Sequence, residues 1–155
     1  MVGEVLRAKL IRPSNSPWRS PITMPLKRME VTLFPQYPLP DIDELLERLA
    51  DTKIFSTLNL PSAYWQVPLK KEDMEKTAFS LGPGYLIYEC LVMPFGLSGA
   101  PATCQRLLDL VLKDNRNALC YLDDIIIFSE NQEEHAAHLR MTLNQIKGAN
   151  LKLNR

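Results

Sequence analysis

The architecture of this chain follows from residues 118–129, which read ALCYLDDIIIFS. Two adjacent carboxylates, Asp123 and Asp124, lie inside a segment whose β-branched and aromatic residues are typical of buried strands. Burying an unpaired carboxylate is costly, so something positive is expected nearby. A tight turn between two strands would direct both carboxylates to one point, which suits a hard divalent cation such as Mg²⁺. The alternative is an ordinary exposed turn, in which Asp is a favoured residue.

The segments before this stretch alternate between helical and strand patterns. Apolar residues at the i, i+3, i+4 and i+7 positions predict an amphipathic helix over residues 41–49. A strand is expected at 54–60, and residues 77–93 read as a hairpin around the Gly82-Pro83-Gly84 turn. The pattern favours short elements joined by frequent turns.

Two longer helices are predicted on either side of the carboxylate pair. The first has Ser98 as a cap and Pro101 at its start, and the second has a capping box formed by Ser129 and Gln132. The predicted buried positions are Cys104, Leu107, Leu108, Val111 and Leu112 in the first helix, and Leu139, Leu143 and Ile146 in the second. Helices interleaved with hairpins predict an α+β domain, an antiparallel sheet with helices packed on one face.

The composition allows a real hydrophobic core. The chain has 155 residues, is 46% hydrophobic, and balances 18 basic against 18 acidic residues, so one domain or a compact part of a larger protein is expected. The first 28 residues carry six of the basic side chains and one acid. Such an arm suits a polyanion such as nucleic acid, but on charge alone a solvated, weakly ordered tail is the favoured interpretation.

Other site classes find little support in the sequence. The three cysteines have no C-x-x-C spacing and are expected to be reduced core residues. His135 and His138 lie one helical turn apart without an evident third ligand, so a solvated polar face is expected rather than a metal site. No apolar run predicts a membrane span or a signal peptide, and a soluble intracellular protein is expected.

Five collinear motifs resemble the reverse transcriptase domain of gypsy-type LTR retrotransposon polyproteins. In chain order they are YPLPDIDELLERL, KIFSTLNLPSAYWQVPL, EKTAF, LVMPFGLSGAPATCQRLLDLVL and YLDDIIIFS. The resemblance extends from about Ile11 to the end of the sequence. It implies a polymerase palm with partial fingers and no thumb, in which residues 1–40 form a basic, Pro-rich arm with truncated fingers and residues 41–155 form the palm.

The resemblance also implies roles for individual residues. Asp123 and Asp124 match the metal-binding pair of the palm, for Mg²⁺ or Mn²⁺. Tyr64 matches an aromatic gate beneath the incoming sugar, and Phe95 and Gly96 match a turn that contacts nucleotide and template. Basic residues of the arm are expected to contact nucleic acid; they are Arg12, Arg19, Lys27 and Arg28.

Three departures from the family pattern bear on activity. The first palm aspartate of the family is Asn59 here, so one negative charge is missing from a site that must hold two dications beside a triphosphate. The second is an apparent gap after Arg28, where the family has a basic hairpin of the fingers. The third is that the sequence stops at GANLKLNR, so no thumb to hold the primer duplex is expected. The segment before Tyr121 is also about two residues shorter than the family pattern.

The sequence therefore supports two hypotheses. The first is an RNA-directed DNA polymerase domain, impaired by Asn59 and by missing fingers and thumb. The second is a non-catalytic retroelement remnant that at most binds Mg²⁺, nucleotide or nucleic acid. The expected partners are an RNA or DNA template-primer, deoxynucleotides and other polyprotein domains, without a membrane, in the cytoplasm, a retroelement particle or the nucleus.

Overall fold

The structure, a computed structural model, describes residues 2–18, 20–21, 37–82 and 84–154. Its helices are α1 (Val2–Arg7), α2 (Ile42–Leu49), α3 (Lys71–Met74), α4 (Ala100–Val111) and α5 (Gln132–Gly148), and its strands are β1 (Ile11–Pro13), β2 (Ser20–Pro21), β3 (Ile54–Asn59), β4 (Phe79–Ser80), β5 (Ile87–Cys90), β6 (Ala118–Tyr121) and β7 (Asp124–Ser129). The chain forms two compact units, Met1–Leu33 with Tyr64–Ser98 (unit 1) and Phe34–Ala63 with Gly99–Arg155 (unit 2). Each unit therefore joins two separate stretches of sequence.

Unit 1 is built around a sheet with the strand order β1-β5-β4-β2. The predicted hairpin is confirmed, because β4 and β5 pair antiparallel with Phe79 opposite Tyr88. Strand β1 pairs antiparallel with β5, and its Ile11 is buried. Residues 11–13 of the basic arm are therefore a strand of this sheet and not part of a solvated tail.

Unit 2 contains an antiparallel sheet with the order β3-β7-β6. Strand β3 pairs with β7 from Ile54 opposite Ser129 to Asn59 opposite Asp124. Strand β6 pairs with the other side of β7, which confirms the predicted strand, turn and strand around the two carboxylates. Central strand β7 is covered most completely, and its Ile125 and Ile127 have no exposed surface.

Helices α4 and α5 pack on the same face of this sheet. Side chains directly opposite in an antiparallel ladder share a face, so Ser56 and Cys120 lie on the face of Ile125 and Ile127. Cys120 is hydrogen-bonded by a side chain of α4, and Ser56 by a side chain of α5. The predicted arrangement of helices on one face is confirmed.

The two predicted helix caps are wrong in detail. Helix α4 starts at Ala100 with Gly99 as its cap residue, and Ser98 makes no capping bond. Helix α5 is capped by Asn131, whose side chain accepts from the Glu134 N–H at 2.9 Å. Ser129 instead ends β7, because its strand continues far enough to pair with Ile54.

Some of the buried positions predicted for the helices are confirmed, and others are wrong. Leu108 of α4 and Leu112, which directly follows the helix, are buried as expected. In α5, Ile146 is buried but Leu143 is 38% exposed, so its place on the buried side was wrong. The helix over 42–49 is confirmed, although Leu46 on its apolar side is 57% exposed.

Candidate functional site

The β6–β7 hairpin presents the two carboxylates at its tip. Tyr121 is paired with Asp124, so only Leu122 and Asp123 form the turn. Leu122 has φ of +57°, a left-handed conformation that costs a non-glycine residue about 1 kcal/mol. Asp123 is half-buried and Asp124 is exposed. The two adjacent acids are therefore held by a strained two-residue turn that the Tyr121–Asp124 pair closes.

Asn59 lies beside this turn at the end of β3. It is the last residue paired with β7, directly opposite Asp124, and its Nδ2 donates to Asp124 Oδ1 at 2.8 Å. The next residue, Leu60, donates its main-chain N–H to the Asp123 carbonyl oxygen at 3.0 Å. The structure thus brings together the three positions that the family resemblance assigns to the metal site.

The donor set fits one divalent cation better than two. Asp123 and Asp124 supply carboxylate oxygens, the ligands that Mg²⁺ prefers. Asn59, however, turns an N–H donor towards Asp124, so one carboxylate oxygen of this pair already accepts a hydrogen bond. Within the described part of the chain, no group of three or more His, Cys, Asp or Glu side chains could hold a metal ion. A third carboxylate is thus absent from the described surroundings of the pair.

Tyr64, Phe95 and Gly96 belong to unit 1, whereas Asn59 and the two aspartates belong to unit 2. The ring centroids of Tyr64 and Phe95 are 5.3 Å apart at a tilted angle, and Phe95 also lies 5.7 Å from the ring of Trp65. Phe95 is 59% exposed despite these contacts. Gly96 has φ of +92°, a conformation that side chains rarely adopt. The half-buried ring of Tyr64 and the exposed ring of Phe95 thus contact each other, and a turn that favours glycine follows them.

Among the predicted nucleic-acid contacts, only Arg12 lies within the described residues. Its guanidinium pairs with the buried Glu89, its direct neighbour on β5, at 2.6 Å. A hydrogen bond from Ser14 and the pairing with Arg12 hold the pKa of Glu89 below its ordinary value. Arg12 therefore already has a structural partner, although half of its side chain is exposed. Arg19, Lys27 and Arg28 lie outside the described residues.

His135 is not on a solvated face as expected. It is buried, with Nε2 at 2.8 Å from Ser56 Oγ and Nδ1 at 3.0 Å from Ser129 Oγ. The same Ser129 hydroxyl lies 2.8 Å from His138 Nδ1. Both imidazoles are thus tied to the sheet by one buried serine, and a structural role accounts for them.

Sequence reasoning missed Gln105 of α4. Its side chain has no exposed surface, and its Oε1 accepts from the main-chain N–H of Leu122 in the carboxylate turn at 2.8 Å. The available signal was a polar residue next to Cys104 in an otherwise apolar helical face.

The described helices include none that is long and apolar enough to cross a membrane.

Residues 14–155 match the model of a family described as "Reverse transcriptase (RNA-dependent DNA polymerase)". The chain belongs to the reverse transcriptase family. Two retrovirus-related Pol polyproteins of Drosophila melanogaster, from the transposons opus and gypsy, are similar to it, with 39% and 37% identity over 99% of the chain. The chain spans about a sixth of their length, 17% in each. It is a reverse transcriptase domain of the retrotransposon polyprotein type, as the motifs implied.

Solved structures support the same fold for this reverse transcriptase domain. The foamy viral protease-reverse transcriptase dRH in complex with double-stranded DNA matches 99% of the chain with a TM-score of 0.84 and 19% identity, covering 29% of that protein. A second structure of the foamy viral enzyme with double-stranded DNA has a TM-score of 0.77 and 20% identity over 98% of the chain, covering 34% of that protein. The predicted α+β, palm-like architecture is confirmed. The family uses divalent metal ions in general.

Proposed function

We propose that this chain carries the nucleotidyl-transfer site of an RNA-directed DNA polymerase, with Asp123 and Asp124 as metal ligands. One observation carries the proposal, namely the convergence of three positions at the end of the sheet of unit 2. Asn59 is paired with Asp124 at the end of β3, and Asp123 lies in the adjoining turn. Two carboxylates on a hairpin tip, beside a third polar position on a neighbouring strand, are suited to hold a hard cation against phosphate oxygens.

The roles of the protein groups follow from their positions. A bound Mg²⁺ or Mn²⁺ supplies Lewis-acid stabilisation of developing charge on phosphate oxygens. Asp123 and Asp124 would hold that cation, and the closed hairpin fixes their separation. In unit 1, Tyr64 is proposed as the gate beneath the incoming sugar, and Phe95 and Gly96 as contacts to nucleotide and template. The exposed ring of Phe95 and the glycine turn after it support this assignment, since both leave room for a ligand.

Nucleic acid is the proposed partner. The solved structures of similar fold contain double-stranded DNA, which supports a template-primer duplex as the ligand of this domain. The basic arm would supply phosphate contacts through Arg19, Lys27 and Arg28 and, as far as its pairing with Glu89 allows, Arg12. Because the relatives are polyproteins, the other polyprotein domains are proposed as partners too.

The activity is proposed to be low. Asn59 removes one carboxylate from the site, and its amide hydrogen-bonds an oxygen that a cation would use. The alignment with the opus polyprotein extends over 173 positions but uses only 99% of 155 residues, so about twenty positions of the relative have no counterpart here. That number supports the proposed loss of a fingers hairpin after Arg28.

Primer extension on poly(rA)/oligo(dT) tests this function. We expect negligible extension with Mg²⁺ or Mn²⁺, since losing a few kcal/mol of transition-state stabilisation lowers the rate about a hundredfold or more. Asn59→Asp should strengthen metal binding without restoring full synthesis. Extension by the wild type at rates typical of the family would show that an amide suffices.

Mn²⁺ binding, measured by electron paramagnetic resonance, tests the proposed metal site directly. The wild type should bind Mn²⁺, and the double variant Asp123→Asn/Asp124→Asn should not, because it lacks both carboxylates. Equal binding by the two proteins would contradict the metal site. A folded wild type that neither binds Mn²⁺ nor extends a primer would be a non-catalytic remnant.

A further inference from the structure

Gln105 holds the main chain on both sides of Tyr121. Its Oε1 accepts from the Leu122 N–H at 2.8 Å, and its Nε2 donates to the Cys120 carbonyl oxygen at 3.1 Å. Because Tyr121 and Asp124 close the hairpin, the main-chain groups of Cys120 point away from β7, towards the outer edge of β6 in the described sheet. One side chain of α4 therefore connects to the edge of the hairpin at two points.

The orientation of the Gln105 amide is fixed by neighbouring groups that can act only as hydrogen-bond donors or only as acceptors. The Leu122 N–H is only a donor, so it selects the oxygen of Gln105. The Asp109 carboxylate, an acceptor, receives a hydrogen bond from Gln105 Nε2 at 3.0 Å. Asp109 is held in turn by the Tyr37 hydroxyl and the Cys120 thiol. If the amide were rotated by 180°, its NH₂ group would face the Leu122 N–H and its oxygen would face the Asp109 carboxylate, so neither hydrogen bond could form.

The residue that Gln105 holds is the strained one. Leu122 has φ of +57°, and an N–H at the first position of a two-residue turn has no partner within the hairpin. The preceding residue of α4, Cys104, places its Sγ 3.8 Å from the Leu122 carbonyl oxygen. Both main-chain polar groups of Leu122 therefore meet neighbouring residues of one helix, immediately before Asp123.

We infer that Gln105 is a positioning residue that sets the direction of the Asp123 and Asp124 carboxylates by clamping the turn that carries them. The inference rests on the proposed function only in that the carboxylates bind a divalent cation. Side chains that orient metal ligands without touching the metal typically contribute about 10–100-fold to affinity. Gln105 acts on the ligands through the main chain instead of through their side chains.

Hydrogen exchange and Mn²⁺ binding test the inference on the full chain. In the wild type, the Leu122 amide should exchange at least about 100-fold more slowly than in an unstructured peptide, although it lies at the tip of a turn. Gln105→Met keeps the approximate length of the side chain and removes its hydrogen bonds. This variant should lose the protection of Leu122 and bind Mn²⁺ about tenfold more weakly.

Thr142→Val is the matched control. Thr142 has no exposed surface, accepts from Asn115 Nδ2 and donates to the His138 carbonyl oxygen, each at 2.9 Å. Its replacement removes buried hydrogen bonds from the same unit but none at the turn. It should lower stability while leaving Leu122 protection and Mn²⁺ affinity unchanged. If only stability mattered, the two variants would shift Mn²⁺ affinity equally, and that result would overturn the inference.

The outcomes for the inference and for the proposed function are separable. Fast exchange at Leu122 in the wild type would overturn the clamp even if Gln105→Met failed to fold. Unchanged Mn²⁺ affinity in a folded Gln105→Met would overturn its positioning role. A wild type that binds no Mn²⁺ would overturn the proposed metal site, and the exchange rates would still decide whether Gln105 fixes the turn.

Discussion

Asparagine and aspartate have nearly the same shape, so Asn59 preserves the geometry of its site while changing its chemistry. The amide lacks the negative charge and, in addition, offers an N–H that Asp124 accepts at 2.8 Å. This hydrogen bond partly satisfies a carboxylate that a cation would otherwise satisfy. At the proposed metal site, the amide is therefore expected to weaken cation binding in two ways, by its missing charge and by its competing hydrogen bond.

Two substitutions of Asn59 distinguish the effect of the missing negative charge from the effect of the hydrogen bond that competes for the Asp124 carboxylate. Asn59→Asp should tighten Mg²⁺ binding about tenfold, because one more carboxylate faces the cation. Asn59→Ala should bind Mg²⁺ at least as tightly as the wild type, because it frees the Asp124 oxygen. Isothermal titration calorimetry measures both, with the exposed Thr57→Ala, two residues earlier on the same face of β3, as control. Weaker binding by Asn59→Ala would mean that the Asn59 amide oxygen is itself a ligand.

At the scale of elements, helix α5 is joined to the sheet of unit 2 by a polar contact within an apolar interface. The Ser129 hydroxyl, 2% exposed, lies between His135 Nδ1 and His138 Nδ1, whereas Ser56 contacts only the Nε2 of His135. A buried polar group that loses its partner costs more than the bond itself contributes. Of these two serines, Ser129 therefore contributes more to the packing of α5 on the sheet.

Ser129→Ala should consequently destabilise the protein more than Ser56→Ala. The first leaves two imidazole nitrogens without a partner, for an expected loss of about 2–3 kcal/mol, and the second leaves one, for about 1 kcal/mol. Urea unfolding followed by far-ultraviolet circular dichroism measures the difference. Equal losses for the two variants would mean that the hydroxyl of Ser129 does not serve both histidines.

At the scale of the whole molecule, the three cysteines give stability a common dependence on alkaline pH. All three are buried, and burial raises the pKa of each thiol, to about 11 for Cys104, where Asp123 adds to the effect. Above the ordinary thiol pKa of 9.0 the unfolded chain releases protons that the folded chain retains. The contribution of the thiols to stability is therefore complete below pH 9 and is lost as the pH rises towards the folded pKa values.

The free energy of unfolding should thus fall between pH 9 and 11. Cys104→Ala should make this decline shallower by roughly 1–3 kcal/mol over that interval. Thr103→Ala, the neighbouring substitution on α4, removes no titrating group and should keep the wild-type slope. Denaturant unfolding at several pH values measures the slopes. A Cys104→Ala slope equal to that of the wild type would show that this thiol does not titrate on unfolding.

Local signals in the sequence sufficed for the elements but not for the polar interior. The helix over 42–49 and the β6–β7 hairpin follow from periodicity and turn residues. Asn59 was predicted beside Asp124 through the order of the family motifs, since pairing between distant strands leaves no local signal. Gln105 and His135 were not predicted, because the burial of a polar side chain depends on partners that only the fold supplies. The division at residue 40, into an arm and a palm, stays a prediction.

The interleaved composition of the two units has a consequence for synthesis on the ribosome. Strand β3 emerges early, but β7, its strand partner among the described residues, belongs to the stretch after residue 99. At about 5–20 residues per second, β3 waits some seconds for β7 while the rest of unit 1 is translated. During that interval a chaperone or a neighbouring nascent chain has access to the edge of β3 that β7 occupies in the finished protein.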